Sequence, residues 1–176
     1  ILNRRGIEKE FDEAVAMLGD GVSMSLAYLD LDRFKLINDL FGHLAGDEVL
    51  KQVCERVRNM LTEGQSMGRV GGDEFVIVFK GTPIDSAAWV CRGIVDRIGN
   101  LPYQIGDRAF QVKGSIGLME ISESIRVKDA VSVADRACRE AKSGNHGNPV
   151  IYDRHSPVFR EREDELRLIA RFGTNV

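Results

Sequence analysis

The chain has 176 residues, with 24 Lys+Arg against 27 Asp+Glu, a net charge of −3 and 43% apolar residues. That length can bury a core without disulfides or structural metals. A charged fraction of 29% balanced to near neutrality excludes a disordered chain and a nonspecific nucleic-acid binder, which needs excess positive charge to displace counterions. No apolar run approaches the roughly 18 residues that cross a bilayer, and no signal peptide opens the chain. Cys54, Cys91 and Cys138 are odd in number and fall in apolar helical patterns. They read as reduced core thiols of a cytoplasmic protein.

Ile7, Phe11, Ala14, Val15 and Leu18 recur at helical spacing and predict a first helix closed by Gly19-Asp20-Gly21. Val22 to Leu29 is apolar without alternation, which predicts a buried central strand ending at Asp30. A short helix over Arg33 to Leu40 follows, then a longer one from about Ala45 to Leu61 with Val49, Leu50, Val53 and Val57 on one face. Ser66 to Val70 and Glu74 to Phe79 read as strands joined at Gly71-Gly72. Thr82-Pro83 supplies an N-cap and a first-turn proline to a helix that buries Ala87, Ala88, Cys91, Ile94, Val95 and Ile98.

A strand pair over Tyr103 to Ile105 and Phe110 to Met119, turning at Gly106-Asp107, precedes a helix over Val127 to Lys142 and a last strand near Val150 to Tyr152. The order β-α-β-β-α-β predicts an α/β (α+β) fold, a ferredoxin-like sheet with helices covering one face. One domain is expected over 1–155. From 156 to 176, Ser156-Pro157 opens a helix in which Glu161 to Arg167 carries six charges in seven residues. That helix is expected to be either solvated or a connector into a further domain, and an opening Ile1 in place of Met suits a piece of a longer protein.

Three clusters carry chemistry. The first is Asp30-Leu31-Asp32-Arg33-Phe34-Lys35-Leu36-Ile37-Asn38-Asp39, with Gly42-His43 and Gly46-Asp47 beyond it. A carboxylate at the end of a buried strand stands where open sheets place ligands. In the second, Gly71-Gly72-Asp73-Glu74-Phe75, two acids stand at the start of a buried strand. If the two strands are neighbours, Asp30, Asp73 and Glu74 converge, and carboxylates that close call for a hard divalent cation such as Mg²⁺ or Mn²⁺. The third places Lys142 near a helix end, in reach of phosphate oxygens. Acids for metal, a lysine for phosphate and Asn or Asp for a base edge together make a nucleotide site.

At these residues the chain resembles the GGDEF domains, the diguanylate cyclases of bacterial signalling. Gly71 to Phe75 spells the signature, Asp30 to Asp47 is similar to the family's upstream stretch at matching spacing, and Leu2 to Arg5, Ala134-Asp135 and Ala141-Lys142 are similar to its opening and late motifs. The resemblance covers roughly residues 2 to 153. It implies a nucleotidyl-cyclase-like GGDEF fold and condensation of two GTP molecules into cyclic di-GMP with release of two pyrophosphates.

It further implies that Asp30, Asp73 and the Leu31 carbonyl hold metal, two Mg²⁺ or Mn²⁺ ions per site. Glu74 would complete the metal site or help deprotonate the attacking hydroxyl, Asn38 and Asp47 would read guanine, and Lys35 and Lys142 would contact the triphosphate. Phe34, Gly71 and Gly72 would complete the substrate site. A carboxylate accepts from the N1–H and amine of guanine, a pattern adenine does not offer. Because each domain would hold one GTP, catalysis would need a two-fold dimer, and the full-length protein would carry linked sensory and EAL phosphodiesterase domains.

The departures from that pattern are local. Where the family often has the Arg and Asp of a product-inhibition site, this chain has Thr62 and Gln65, so feedback inhibition there is not expected. Arg139 replaces a tyrosine, and Asn145-His146 stands for Gly-Arg near the phosphates. His43 is expected to make a structural hydrogen bond and His155 to lie on the surface. The alternative reading is a catalytically weak GTP-binding module that tunes an attached EAL phosphodiesterase.

Overall fold

The computed structural model describes residues 1–144 and 147–154. The charged segment from Ser156, with His155, Asn145 and His146, lies outside the described residues. In chain order the elements are α1 (Arg4–Ala16), β1 (Met24–Asp32), α2 (Phe34–Phe41), α3 (His43–Arg58), β2 (Gln65–Arg69), β3 (Glu74–Phe79), α4 (Ile84–Gly99), β4 (Tyr103–Ile105), β5 (Arg108–Phe110), β6 (Lys113–Ile121), α5 (Val127–Gly144) and β7 (Val150–Ile151).

Five strands form one sheet in the order β2-β3-β1-β6-β7, antiparallel throughout except for the β6–β7 pair. β1 and β2 flank β3, and β3 and β6 flank β1, so the two helix-linked pairs interlock as the ferredoxin-like reading requires. β7 joins the edge beside β6 after the α5 crossover, which a parallel neighbour needs.

Helices cover both faces, not one. Ala27, Leu29, Leu31, Phe75, Ile77, Ile116 and Leu118 pack with α3 and α4, while Leu26, Tyr28, Val76, Val78 and Met119 pack with α1 and α5. The unbroken apolar runs of β1 and β3 are the cause, because a strand apolar on both faces must be covered on both. Cys91 and Cys138 are buried and Cys54 half-buried, all as free thiols. Burial pushes the Cys138 thiol up to about 12.

Two local expectations give way. Thr82 does not cap α4: its hydroxyl donates to the Lys80 carbonyl, and the Ile84 amide donates to Glu120 of β6 at 2.8 Å. A carboxylate from a neighbouring strand serves that helix N-terminus. The strand expected over Phe110 to Met119 is two strands, because β4 and β5 form a separate ribbon. Tyr103 and Phe110 pair across it and both are buried, and the Arg56 guanidinium stacks 3.7 Å from the Tyr103 ring centroid. Arg56 also donates to the Leu101 and Pro102 carbonyls, tying α3 to the ribbon.

Candidate active site

The sheet brings the acids of the first two clusters together. β1 and β3 are neighbours, and Asp30 stands directly opposite Glu74 in their register. Asp73 adjoins at the turn, where its carbonyl accepts from the Leu31 amide at 3.4 Å. Burial, then the charge of Asp30, hydrogen bonding with Asp30 and the charge of Glu74 push the Asp73 carboxyl above the usual carboxylate range.

The turn that presents these acids is held from three sides. The Val70 and Gly71 amides donate to the Glu74 carbonyl, the Arg69 guanidinium donates to the Gly71 and Gly72 carbonyls, and Arg4 donates to the Val70 carbonyl at 2.5 Å. A Cβ at Gly71 would press on the end of the Glu74 side chain, which would have to turn aside. Gly72 meets nothing within 4 Å; nothing in the structure explains why it is glycine.

Lys142 brings a cation to the site. It reaches down from the end of α5 to donate to Asp30 at 2.6 Å and lies 3.9 Å from Asp32. Burial alone would lower its ammonium, but the hydrogen bond to Asp30 and the charges of Asp30 and Asp32 hold it raised. The donor set offered by Asp30, Asp73, Glu74 and the local carbonyls is all oxygen, which suits a hard divalent cation. The raised Asp73 carboxyl marks the uncompensated negative charge that such a cation would relieve. Among the described residues, no group of three His, Cys, Asp or Glu is arranged as a ready metal cage.

Asn38 lies near the end of α2 and Asp47 in the first turns of α3. Asn38 is half-buried and Asp47 exposed. The Asn38 side chain lies against the backbone of Gly46, so closely that a Cβ there would collide with its amide oxygen, and the Phe34 ring supports the same spot. Phe34 is only 4% exposed and its ring belongs to the core; what it offers a ligand is backbone. Lys35 is exposed on the first turn of α2. A side chain at position 46 would therefore force the Asn38 amide aside.

His43 opens α3 exposed, and among the described residues no hydrogen bond to its imidazole is seen. Thr62 and Gln65 serve each other: the Thr62 amide donates to the Gln65 side chain and the Gln65 amide to the Thr62 carbonyl, each at 3.0 Å. Sequence reasoning assigned no role to Tyr28, Asp32 or Ser115, yet all three adjoin the acids. Burial, then the charges of Asp135 and Glu74, raises the Tyr28 hydroxyl well above the usual phenol range. Ser115 pairs with Asp30 across β6 and donates to Asp32 at 2.9 Å. The two-residue period of a strand was the signal for Tyr28 and Asp32, which share a face with Asp30.

Among the described residues, no helix is long and apolar enough to cross a membrane. The family described as "Diguanylate cyclase, GGDEF domain" matches residues 1–148. The probable diguanylate cyclase DgcE of Escherichia coli is 31% identical over 130 residues, 73% of this chain and 12% of that protein. The cyclic di-GMP phosphodiesterase PdeR of the same organism is 31% identical over 163 residues, 91% of this chain and 24% of that protein. Among solved structures, the diguanylate cyclase SiaD of Pseudomonas aeruginosa, in complex with its activator SiaC, superposes with a TM-score of 0.79 at 31% identity, covering 85% of this chain and 58% of that one. The chain thus spans well under half of these curated relatives, and the part it spans carries the signature turn and the acids beside it: it belongs to the GGDEF family of diguanylate cyclase domains.

Proposed function

We propose that this domain condenses two GTP molecules into cyclic di-GMP and releases two pyrophosphates. The convergence of Asp30, Asp73 and Glu74 beside Lys142 carries the reading. Each 3′-hydroxyl attacks the α-phosphate of the opposite GTP, and the pyrophosphate leaves. Asp30, Asp73, Glu74 and the Leu31 carbonyl would hold two Mg²⁺ or Mn²⁺ ions. Such ions, when bound, neutralise phosphate charge and favour the ionised hydroxyl.

The chain's own residues do the positioning. Asn38 and Asp47 orient guanine, Lys142 and Lys35 hold phosphate oxygens, and the clasped turn keeps Asp73 and Glu74 aimed at the reacting groups. Glu74, opposite Asp30 in the register, would complete the metal site or help take the proton of the attacking hydroxyl. With one GTP per domain, the active species is a two-fold dimer, driven in the longer protein by linked sensory and EAL domains.

Incubation of the protein with GTP and Mg²⁺, followed by chromatography, is expected to yield cyclic di-GMP and pyrophosphate. A second reading is favoured by the 91% coverage against PdeR, whose name is that of a phosphodiesterase: a GTP-binding module that tunes an attached EAL phosphodiesterase. GTP binding with no product, even when fusion forces a dimer, would select it. Because Thr62 and Gln65 close a turn on each other and offer neither guanidinium nor carboxylate, added cyclic di-GMP is expected to leave initial rates within about twofold at saturating GTP, where any competition at the substrate site is suppressed.

A further inference from the structure

A cleft of about 600 Å³ opens beside the acids, between the end of α4, the start of β6 and the end of α5. Its walls include Asp32, Asp96, Lys113, Ser115 and Lys142. The sheet explains how it joins the site. β6 lies on the side of β1 away from β3, with Ser115 opposite Asp30 and Lys113 opposite Asp32. Alternation along the strands puts Asp30, Asp32, Ser115 and Lys113 on one face, under the end of α5. From β3 outward, that face therefore runs from acids to lysines: Glu74, then Asp30 and Asp32, then Lys113, with Lys142 reaching in from α5.

The Lys113 side chain lines this cleft. It is exposed, and its ammonium forms no ion pair or hydrogen bond among the described residues. Its strand partner Asp32 is already served by Ser115 at 2.9 Å and by Lys142 at 3.9 Å. Its stem passes the backbone of Gly99, where its Cγ lies 3.9 Å from the position a Cβ would take. The ammonium is thus left to the cleft, one strand step beyond the acids. A linear polyphosphate with its inner phosphates by Asp30 and Asp73 and its chain along this face would carry its terminal phosphate, the most highly charged, toward this end.

We propose that Lys113 binds the distal phosphate of GTP from β6, opposite Lys142, and so selects triphosphate over diphosphate and holds the outer phosphate of the departing pyrophosphate. The proposal rests on the cyclase reading above and adds a substrate-binding residue to it.

The test is calorimetric titration of the whole chain, with Mg²⁺, using an α,β-methylene analogue of GTP that blocks turnover, then GDP and inorganic pyrophosphate. Lys113→Gln is expected to weaken the analogue and pyrophosphate about 5-fold, a solvent-exposed charge contact, and to leave GDP within about 2-fold. Lys113→Arg should restore the loss. Lys128→Gln, which removes the same charge from an exposed position on the rim of a different cleft, should change nothing. Two outcomes overturn the assignment while leaving the cyclase reading intact: Lys113→Gln binding the analogue as the wild type does, or losing GDP and the analogue equally, which would mean that the lysine only offsets Asp32. Wild-type protein that binds neither the analogue nor pyrophosphate overturns both.

Discussion

Asp73→Asn is expected to lower kcat for cyclic di-GMP formation by at least about 10³-fold, the scale of losing a group that stabilises transition-state charge, and to raise the melting temperature of the metal-free protein at pH 7. Both effects come from one cause. Asp73 is pressed by burial and by the charges of Asp30 and Glu74, so its folded-state value stands above the unfolded one. A raised carboxyl means that the folded state holds the proton longer. Stability is therefore greatest below the unfolded value, falls as pH climbs through the window up to the raised value, and stays diminished above it.

Asparagine carries no charge at that place and escapes the deficit, while losing the anionic ligand. Calorimetric melts in chelator at pH 7, repeated with Mg²⁺, check the stability half. Mg²⁺ should stabilise the wild type and leave the variant nearly unmoved. A variant that keeps full turnover would show that the reaction does not need the Asp73 carboxylate. One that melts below the wild type in chelator would show that its charge is not a burden on the fold.

The largest stability effect is expected at a glycine of β6. Gly117 lies opposite Tyr28 in the register, under α5. A Cβ there would penetrate the α5 backbone at the Ala134 carbonyl, Ala137 and the Cys138 amide, atoms that no rotamer change can move. α5 turns Ala130, Ala134, Ala137, Cys138 and Ala141 inward, a small-residue stripe that lets helix and sheet approach this closely. Gly117→Ala must lift the helix, and overpacking of this kind costs about 3 kcal/mol. For a chain of this size that is roughly 6–12 °C in melting temperature.

The same displacement carries Lys142 off Asp30, so GTP binding should weaken alongside. Denaturant unfolding of Gly117→Ala beside Gly72→Ala checks the argument. Gly72 faces open space, so its variant should stay within about 0.5 kcal/mol of wild type. Equal stabilities would show that α5 yields cheaply.

Much of the site was readable because its chemistry is local in sequence. Gly71 to Glu74 is a turn, and the turn itself presents both acids. Asn38 and Asp47 belong to consecutive helices, and Gly46 between them is small for a reason that only contact reveals: the Asn38 amide rests on it. Phe34 stood in the same motif, and its ring, beside the end of a buried strand, lies in the core. Thr82 looked like a cap because Thr-Pro so often is one; Glu120, 36 residues away, took the place with a full negative charge.

The amino-acid sequence by itself determined the element order, the ferredoxin-like sheet and the identity of the acids, since apolar periodicity and turn chemistry are properties of neighbouring residues. Only the tertiary structure decided which groups share space. The strand order set Asp30 against Glu74 and Lys113 against Asp32, and the small stripe of α5 brought Lys142 down from 112 residues away. Such pairings depend on the register between strands and the depth of helix packing, which are set by the sum of many long-range contacts and leave no short pattern in the chain.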